Sequence, residues 1–419
     1  MRFKITFIII LCLAAFLRLY GLNWDQNQHL HPDERFLTMV TGAMKWPSSW
    51  QEYFDTDKST LNPHNIGYGF YVYGTYPVIF VKWVAGLLGM DNYNGITLVG
   101  RFVSAVLDTG IVLLVYLIAK KVFANELPGL WSAFVYTICV LPIQLAHFFA
   151  VDTYLVFFTV LAFYFLLENK FFLSGVSLGL AIAAKISGIY FLPIVLLGIL
   201  FQRKKILLSG LLVFLGMALS VRLTYPYLFD YWNLNSAVLQ NWKELKSYEQ
   251  INVWFPPIVQ WIHTSPYIYP LINLILWGVG LPLGILMISG LVFVIHRFRQ
   301  AQTSLIVLWI IGLFIYQGGQ LAKPVRYFYV IYPFLALCAG VLLPHLKKWL
   351  QLVIVLSILI WPLAFITIYT RPHSRIEATR WIYQHIPTES VLSCEHWDDC
   401  LPLGNNTQYK IVELPMYIP

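Results

Sequence analysis

Residues 5–36 of the chain, ITFIIILCLAAFLRLYGLNWDQNQHLHPDERF, join a long apolar run to a cluster of polar and charged side chains. The apolar run is long enough to cross a bilayer as a helix, which takes about 20 residues. The cluster behind it contains His31, Asp33, Glu34 and Arg35. The chain has only 20 acidic residues among 419, so two adjacent carboxylates at the mouth of a membrane helix favour a functional site. A solvated loop after the helix is the alternative.

The composition is that of a polytopic membrane protein. Hydrophobic residues make up 58% of the chain and charged residues 11%, against about 45–50% and about 25% in soluble domains. The mean hydropathy is +0.67, and apolar segments of roughly 17–25 residues recur along most of the length, as spanning helices require. The net charge of +8 is not concentrated in a basic block, so the sequence argues against a nucleic-acid partner.

Lysine and arginine positions predict how the chain is threaded through the membrane, since cytoplasmic loops carry an excess of both. Arg2 and Lys4 precede the first span, which predicts a cytoplasmic N-terminus. Counting apolar segments from there gives about eleven spans within residues 1–369, and it places the short segment 370–419 on the outer face. Large outer loops are expected at residues 23–97 and 229–265.

Several elements are expected with definite boundaries. Residues 97–119, 128–146 and 274–295 should each form one span. Residues 78–90 are apolar over only about 13 positions and contain Lys82, so this segment is expected to form a helix that lies at the membrane interface.

Ionisable residues gather at the outer ends of the predicted spans. Such groups are costly at membrane depth and usually face a cavity or a partner. Cations that converge on one face can hold a phosphate, and a carboxylate can accept the proton of a hydroxyl or amine as the bond to a leaving phosphate breaks. The residues concerned are His31, Asp33, Glu34, Arg101, His147, Asp152, Lys185, Arg222, Lys323 and Arg326.

Some of these residues also have a purely structural interpretation. Lys185, at a tight outer bend, could extend its amine to the membrane surface. Arg101 could pair with Asp108, and His147 could bond a backbone carbonyl. A divalent metal is not indicated, because no spacing matches a metal signature such as H-E-x-x-H, and no cofactor is assigned.

Five stretches, in this order along the chain, carry a family resemblance. They are His31–Glu34, the run from Asn62-Pro63 to Tyr73–Pro77, His147–Asp152, Ala184–Gly188, and Arg326–Phe328 followed by Tyr332–Phe334. With this topology the chain resembles the GT-C glycosyltransferases, most specifically the protein O-mannosyltransferase and aminoarabinose-transferase type. This group includes bacterial phospholipid-carrier-dependent glycosyltransferases of the cell membrane. The resemblance extends from the first span to about residue 340.

The resemblance implies a GT-C fold and a polyprenyl-phosphate sugar donor. It also implies an inverting transfer at the outer face to an acceptor that is a protein hydroxyl, a lipid or a glycan. By the same resemblance, Asp33 is the catalytic base and Glu34 its helper or a substrate anchor, and Asp152 orients the acceptor or partners a cation. Three basic residues are expected to contact the lipid phosphate: Lys185, Arg222 and Arg326. Arg101, His147 and Tyr327 are further candidates for binding the substrate.

The outer tail is short, and the chain lacks the inserted lumenal domain of the eukaryotic protein mannosyltransferases. Residues 375–385 are expected to form a helix, and residues 390–395 a strand. Under the predicted topology the tail faces an oxidising compartment, where Cys394 and Cys400 could close a disulfide loop.

A secondary transporter or flippase for an anionic or lipid-linked substrate is the alternative function, because paired carboxylates can also relay protons. Transporters usually contain inverted repeats and broken helices with polar groups near mid-bilayer. No repeat is visible in this chain, and its ionisable residues fall at one face. The sequence therefore favours the glycosyltransferase.

Overall fold

The computed structural model describes residues 2–202, 205–251, 256–396, 399–404 and 406–415. Most of the structure is helical, as predicted. The α-helices are α1 Arg2–Leu19, α2 Pro32–Ala43, α3 Trp50–Phe54, α4 Tyr76–Leu87, α5 Tyr93–Phe123, α6 Glu126–Thr137, α7 Val140–Ala146, α8 Val151–Leu167, α9 Phe171–Ala184, α10 Leu192–Gln202, α11 Ile206–Thr224, α12 Ser236–Ser247, α13 Pro256–Val259, α14 Ile268–Asn273, α15 Leu281–Arg297, α16 Ala301–Gly318, α17 Tyr332–Leu342, α18 Lys348–Ile366 and α19 Ser374–His385.

Short elements connect these helices. An antiparallel pair joins β1 Phe229–Asp230 to β2 Asn233–Leu234, and a parallel pair joins β3 Val391–Glu395 to β4 Lys410–Leu414. One π-helix covers Leu274–Val279. The 3₁₀ helices are Pro63–Ile66, Ile186–Phe191, Pro226–Leu228, Val325–Ile331, Leu343–His345 and Thr367–Thr370.

The number of membrane spans differs from the sequence-based count. Within the described residues, 5 helical segments are long and apolar enough to cross a membrane, or up to 7 if each of two bent pairs is one span. The predicted count of about eleven spans is therefore not confirmed. The 5 segments are Tyr93–Phe123, Ile206–Thr224, Ala301–Gly318, Val325–His345 and Lys348–His385.

The span predicted over residues 274–295 is broken near its start. The helical segments Ile268–Val279 and Leu281–Arg297 are bent by 118° at the break between them. Gly280 has φ +85°, a left-handed conformation that glycine adopts without strain, and a Cβ there would lie 2.7 Å from the Trp361 side chain. Pro282 in the first turn of α15 has no N–H to continue the hydrogen-bond ladder.

The span predicted over residues 128–146 is also bent, for a similar reason. Helices α6 and α7 pass through this region with a 61° bend. Pro142 lacks the N–H that would bond the carbonyl four residues earlier, at Ile138, so the helical hydrogen-bond ladder is interrupted at the bend.

The helix predicted over residues 97–119 is longer than expected: α5 has 31 residues, about 46 Å at 1.5 Å per residue.

A buried charge cluster ties α1, α5, α6 and the 3₁₀ helix Val325–Ile331 together. Arg18 and Asp108 form an ion pair with no exposed side-chain surface. The Tyr136 hydroxyl donates to Asp108 at 2.6 Å, and the Tyr329 hydroxyl donates to the same carboxylate. The suggested pairing of Arg101 with Asp108 is therefore wrong.

The tail has the predicted helix and strand. Helix α19 and strand β3 match the expected segments 375–385 and 390–395, and Cys394 is joined to Cys400 in a disulfide. Asp399, inside this loop, accepts from Arg35 of α2 at 2.6 Å and from Arg375 of α19 at 3.2 Å. The tail thus contacts the helix that carries the Asp-Glu pair.

Candidate active site

The Asp-Glu pair lies in the first turn of α2. Pro32 opens the helix, and the His31 ring caps it by accepting from the backbone N–H of Glu34 at 3.2 Å. Carboxylates at this position are favoured by the helix dipole. The two side chains point apart: Asp33 keeps 34% of its side-chain surface exposed, whereas Glu34 has none. Only Asp33 is therefore available to a substrate.

Asp33 forms an ion pair with Arg326, which the 3₁₀ helix Val325–Ile331 brings to the end of α2. Burial raises the pKa of Asp33, but the charge and hydrogen bond of Arg326, with smaller contributions from His31 and Lys185, outweigh it. The pKa therefore lies below its ordinary value. The carboxylate is held in its ionised form, the form that can accept a proton.

A second ion pair lies close to the first. Asp152, in the first turn of α8, accepts from the Lys185 ammonium at 2.8 Å, and Lys185 follows the last residue of α9. The Tyr327 ring lies between the two cations, 4.7 Å from the Lys185 amine and 5.8 Å from the Arg326 guanidinium. The two cations and two carboxylates thus meet around one aromatic ring.

These residues lie at a cavity of about 520 Å³. This volume is within the range of about 300–1,000 Å³ that is usual for small-molecule sites. Asp152, Lys185, Arg326 and Tyr327 line the cavity directly, and Asp33 reaches it through Arg326. The rest of the wall mixes aliphatic, polar and aromatic residues, and it includes a further cation and carboxylate, Lys246 and Glu249. Its aromatic members are Tyr190, Phe191, Trp242, Trp309, Tyr316 and Tyr329.

Glu34 and Arg101 are not among the residues that line this cavity. The Arg101 guanidinium donates to both oxygens of Glu34, at 2.8 and 2.7 Å, and to both oxygens of Asp25, at 3.0 and 2.8 Å. Glu34 also accepts from the backbone N–H of Phe149 at 2.8 Å. This closed network fixes α2, α5 and the turn before α8 relative to one another. Asp25, its third member, was not singled out from the sequence, although it lies in the same polar stretch.

His147 is fully buried and bonds backbone carbonyls, as its structural interpretation suggested. Its two ring nitrogens lie 2.7 Å from the carbonyl oxygen of Ile143 and 2.9 Å from that of Tyr20. The ring also stacks on Tyr369, with centroids 3.9 Å apart. His147 therefore joins α7 to the ends of α1 and α18 and does not line the cavity.

Two further predicted cations are held away from the cavity. The Arg222 guanidinium lies 5.6 Å from the rings of both Phe54 and Phe229. Lys323 donates to the carbonyls of Gln320 and Leu321, at 3.2 and 2.9 Å. Of the predicted phosphate ligands, the structure places Lys185 and Arg326 in the cavity wall and Arg222 outside it.

Across the residues that the structure describes, no three His, Cys, Asp or Glu side chains are grouped so that they could hold a metal ion.

Part of the chain matches a known family, and its fold matches solved structures. A family model described as dolichyl-phosphate-mannose-protein mannosyltransferase matches residues 79–230. ArnT from Cupriavidus metallidurans is similar in its apo state, with a TM-score of 0.60 and 16% identity over 98% of this chain and 85% of that chain. ArnT bound to undecaprenyl phosphate gives a TM-score of 0.54 and 14% identity over 99% and 86%.

The archaeal oligosaccharyltransferase AglB from Archaeoglobus fulgidus, solved with an inhibitory peptide and a dolichol-phosphate, is also similar. Its TM-score is 0.58 at 14% identity, over 94% of this chain and 62% of that chain. The present chain thus spans about three fifths of the oligosaccharyltransferase. No curated protein sequence matches the chain. The chain therefore has the GT-C fold of these structures, and residues 79–230 resemble the mannosyltransferase family.

Proposed function

We propose that the chain is an inverting glycosyltransferase that moves a sugar from a polyprenyl-phosphate donor to an acceptor at the outer face of the membrane. The observation that carries the proposal is the Asp33–Arg326 ion pair beside a cavity that also contains the Asp152–Lys185 pair. A proton acceptor and two phosphate-binding cations thus share one site. Support also comes from the similar ArnT fold, which has been solved with undecaprenyl phosphate.

Arg326 and Lys185 are the proposed ligands of the donor phosphate. An arginine can bind phosphate oxygens bidentately, and a lysine ammonium adds a second positive charge. Both cations now bond carboxylates, so a bound phosphate would replace Asp33 as the partner of Arg326. That exchange would leave the Asp33 carboxylate with a free lone pair for the proton of the acceptor.

The proposed reaction is one displacement. The acceptor oxygen or nitrogen forms a bond to the anomeric carbon as the bond from that carbon to the phosphate oxygen breaks, which inverts the centre. Asp33 takes the acceptor proton, and the electron pair of the broken bond leaves with the lipid phosphate. Arg326 and Lys185 stabilise the charge that develops there.

We propose that three residues position other groups without touching the reacting atoms: Glu34, Arg101 and Asp152. Glu34 and Arg101 hold the first turn of α2 against α5, so that Asp33 meets Arg326 at the cavity wall. Asp152 holds the Lys185 ammonium at 2.8 Å. His147 and Arg222, which lie outside the cavity, are proposed to stabilise the fold around it.

The function is tested by loss and return of the glycosylated product. We expect deletion of the gene to remove at least one glycan or glycolipid that mass spectrometry detects in the parent strain. The wild-type gene should restore it, and the Arg326→Gln variant should restore less than about a tenth, because the ligand of the departing phosphate is lost.

Arg299→Gln, which removes an exposed arginine from the segment after α15, is the matched control and should restore the product fully. An unchanged glycan and glycolipid profile in the deletion strain, or full restoration by Arg326→Gln, would contradict the proposal. Accumulation of unused lipid-linked sugar on the inner leaflet alone would instead indicate a flippase.

We further propose that the N-terminus is cytoplasmic and that the active site faces outward. The predicted inner turns do lie together, since Lys121 at the end of α5 pairs with Glu168 at the end of α8 at 2.6 Å. Asp152 is at the opposite end of α8. In intact cells, a cysteine placed at Asp57 should react with a membrane-impermeant maleimide, and one placed at Lys170 should react only after permeabilisation. The reverse pattern would overturn the orientation.

A further inference from the structure

One wall of the active-site cavity is formed by α12, to which the proposed transfer assigns no residue. Trp242 and Lys246 of this helix line the cavity, and so does Glu249, shortly after its end. Residues three or four positions apart lie on the same face of a helix. The backbone N–H of Glu249 donates to the Lys246 carbonyl at 3.2 Å, so the helical turn continues to Glu249. One face of α12 is therefore turned toward the cavity.

A buried asparagine holds α12 in this position. The Asn241 amide donates to the carbonyl oxygens of Gly69 and Tyr71, at 3.0 and 3.3 Å, and it lies 2.9 Å from Nε2 of the His64 ring. Asn241 is only 5% exposed, and it directly precedes Trp242 in the chain. The wall is thus fastened to the segment before α4 by a residue that does not itself line the cavity.

Two polar groups of this wall have no partner within the part of the chain that the structure describes. The Glu249 carboxylate is half-buried, and no hydrogen bond or ion pair holds it. Its burial raises its pKa, against a smaller opposing effect of the Lys246 charge. The indole N–H of Trp242 is buried and has no acceptor. Unmatched polar groups away from water are unfavourable, so this wall suits a ligand that can supply both donors and acceptors.

The phosphate ligands in the same cavity indicate which part of a substrate this wall meets. Lys185 and Arg326 line the cavity, whereas Asp33 reaches it only through Arg326. In the proposed displacement the acceptor comes to Asp33, and the sugar is attached to the phosphate that Arg326 binds. The group that occupies the cavity beside the phosphate is then the transferred sugar.

The two charges on α12 point to the kind of sugar. A carboxylate alone would favour a cationic amino sugar, and an ammonium alone would favour a uronic acid. Glu249 and Lys246 bring one charge of each sign to the same wall, which matches an uncharged sugar whose hydroxyls both donate and accept. Tyr190 and Tyr316, whose hydroxyls lie 3.0 Å apart, add aromatic surface for the C–H groups of the sugar.

We propose that Glu249 and Lys246 determine the specificity for the transferred sugar and select an uncharged one. Hydroxyls of the sugar donate to the Glu249 carboxylate, and the Lys246 ammonium donates to a sugar oxygen. Neither side chain touches the reacting atoms. This inference rests on the proposed function, because the sugar is that of the lipid-phosphate donor.

Binding of synthetic donors to the purified full-length protein tests this pair without an acceptor. Calorimetric titration in detergent gives Kd for undecaprenyl phosphate and for its esters with glucose, mannose, galactose, glucosamine and glucuronic acid. We expect the wild type to bind at least one uncharged-sugar donor more tightly than both charged-sugar donors. In Glu249→Gln, Kd for that donor should rise about 10–100-fold, from the loss of hydrogen bonds to a charged group. Kd for undecaprenyl phosphate, which has no sugar, should stay at the wild-type value.

Two further variants separate a role in specificity from a structural one. Glu249→Lys leaves two cations on the wall, so it should bind the glucuronic acid donor more tightly than the glucosamine donor. A change of fold alone would not favour one charged sugar over the other. Lys243→Gln removes an exposed lysine of α12 that does not line the cavity, and it should bind every donor as the wild type does.

The outcomes distinguish this inference from the proposed function. If Glu249→Gln bound the uncharged-sugar donors like the wild type, or lost undecaprenyl phosphate to the same extent, the inference would be wrong and the proposed function would stand. A wild-type preference for a charged sugar would overturn it in the same way. If the wild type bound none of these ligands, or if Arg326→Gln bound undecaprenyl phosphate as tightly as the wild type, the proposed function would fail and this inference with it.

Discussion

Asp33→Asn is expected to lower the rate of glycosyl transfer by about 10²–10⁴-fold, the usual contribution of a general base. Asparagine has the same shape as aspartate and can still accept a hydrogen bond from Arg326, but it cannot take a proton from the acceptor. The Asp33–Arg326 pair keeps about a third of each side chain exposed, so its loss should lower the free energy of unfolding by less than about 1 kcal/mol. Initial rates with synthetic undecaprenyl-phosphate sugars, measured beside Tm, separate the two effects.

Asp57→Asn is the matched control, because Asp57 is an exposed carboxylate in the segment between α3 and α4. It should transfer at the wild-type rate. A near-normal rate in Asp33→Asn would remove Asp33 from the role of base, and Asp152 would become the carboxylate to test.

The pH dependence of transfer gives a second measurement of the same role. Because Arg326 holds the pKa of Asp33 below its ordinary value of 3.8, the carboxylate stays ionised and kcat/KM should be independent of its titration above about pH 5. The rate should fall only as the pH drops toward and below 3.8. In Arg326→Gln, burial of Asp33 remains while the positive charge is gone, so the acid limb of the residual rate should move to higher pH. An acid limb near pH 6.5 in the wild type would indicate a histidine as the base.

The sequence allowed us to predict which charged residues lie together at the cavity, because they stand at the ends of apolar segments. Asp152, Lys185 and Arg326 each follow or precede a long apolar run, and such ends meet at one face when helices cross a membrane together. The family resemblance then added Tyr327 and ranked Asp33 first. These five residues are indeed neighbours in the structure, although their roles remain proposals.

The direction of each side chain could not be foreseen. Asp33 and Glu34 are adjacent in sequence, but successive residues point about 100° apart around a helix. Asp33 therefore meets Arg326 at the cavity wall, and Glu34 points into the core. The pairing of Arg101 with Asp25 could not be predicted either. Asp25 lies in a loop, where side-chain directions do not follow the regular repeat of a helix or strand. The broken spans were missed because Gly280 and Pro142 are tolerated in membrane helices when neighbouring groups satisfy the backbone.

Arg101→Met is expected to lower the free energy of unfolding by about 3–5 kcal/mol, the usual effect of removing one partner from a buried ion pair. Arg101 and Glu34 have no exposed side-chain surface, and Asp25 has 1%. Without the guanidinium, two carboxylates would remain buried with no countercharge. Glu34→Gln removes only one charge and keeps an acceptor for Arg101, so its effect should be smaller, about 1–3 kcal/mol.

The order of the effects distinguishes a positioning network from a substrate-binding one. Tm and the yield of folded protein should fall in the order wild type, Glu34→Gln, Arg101→Met. Lys58→Met, which removes a lysine that is 81% exposed, should match the wild type. If Arg101→Met kept the wild-type Tm while KM for the undecaprenyl-phosphate sugar rose more than tenfold, Arg101 would bind the donor directly. The network would then belong to the cavity rather than to the frame that holds Asp33 in place.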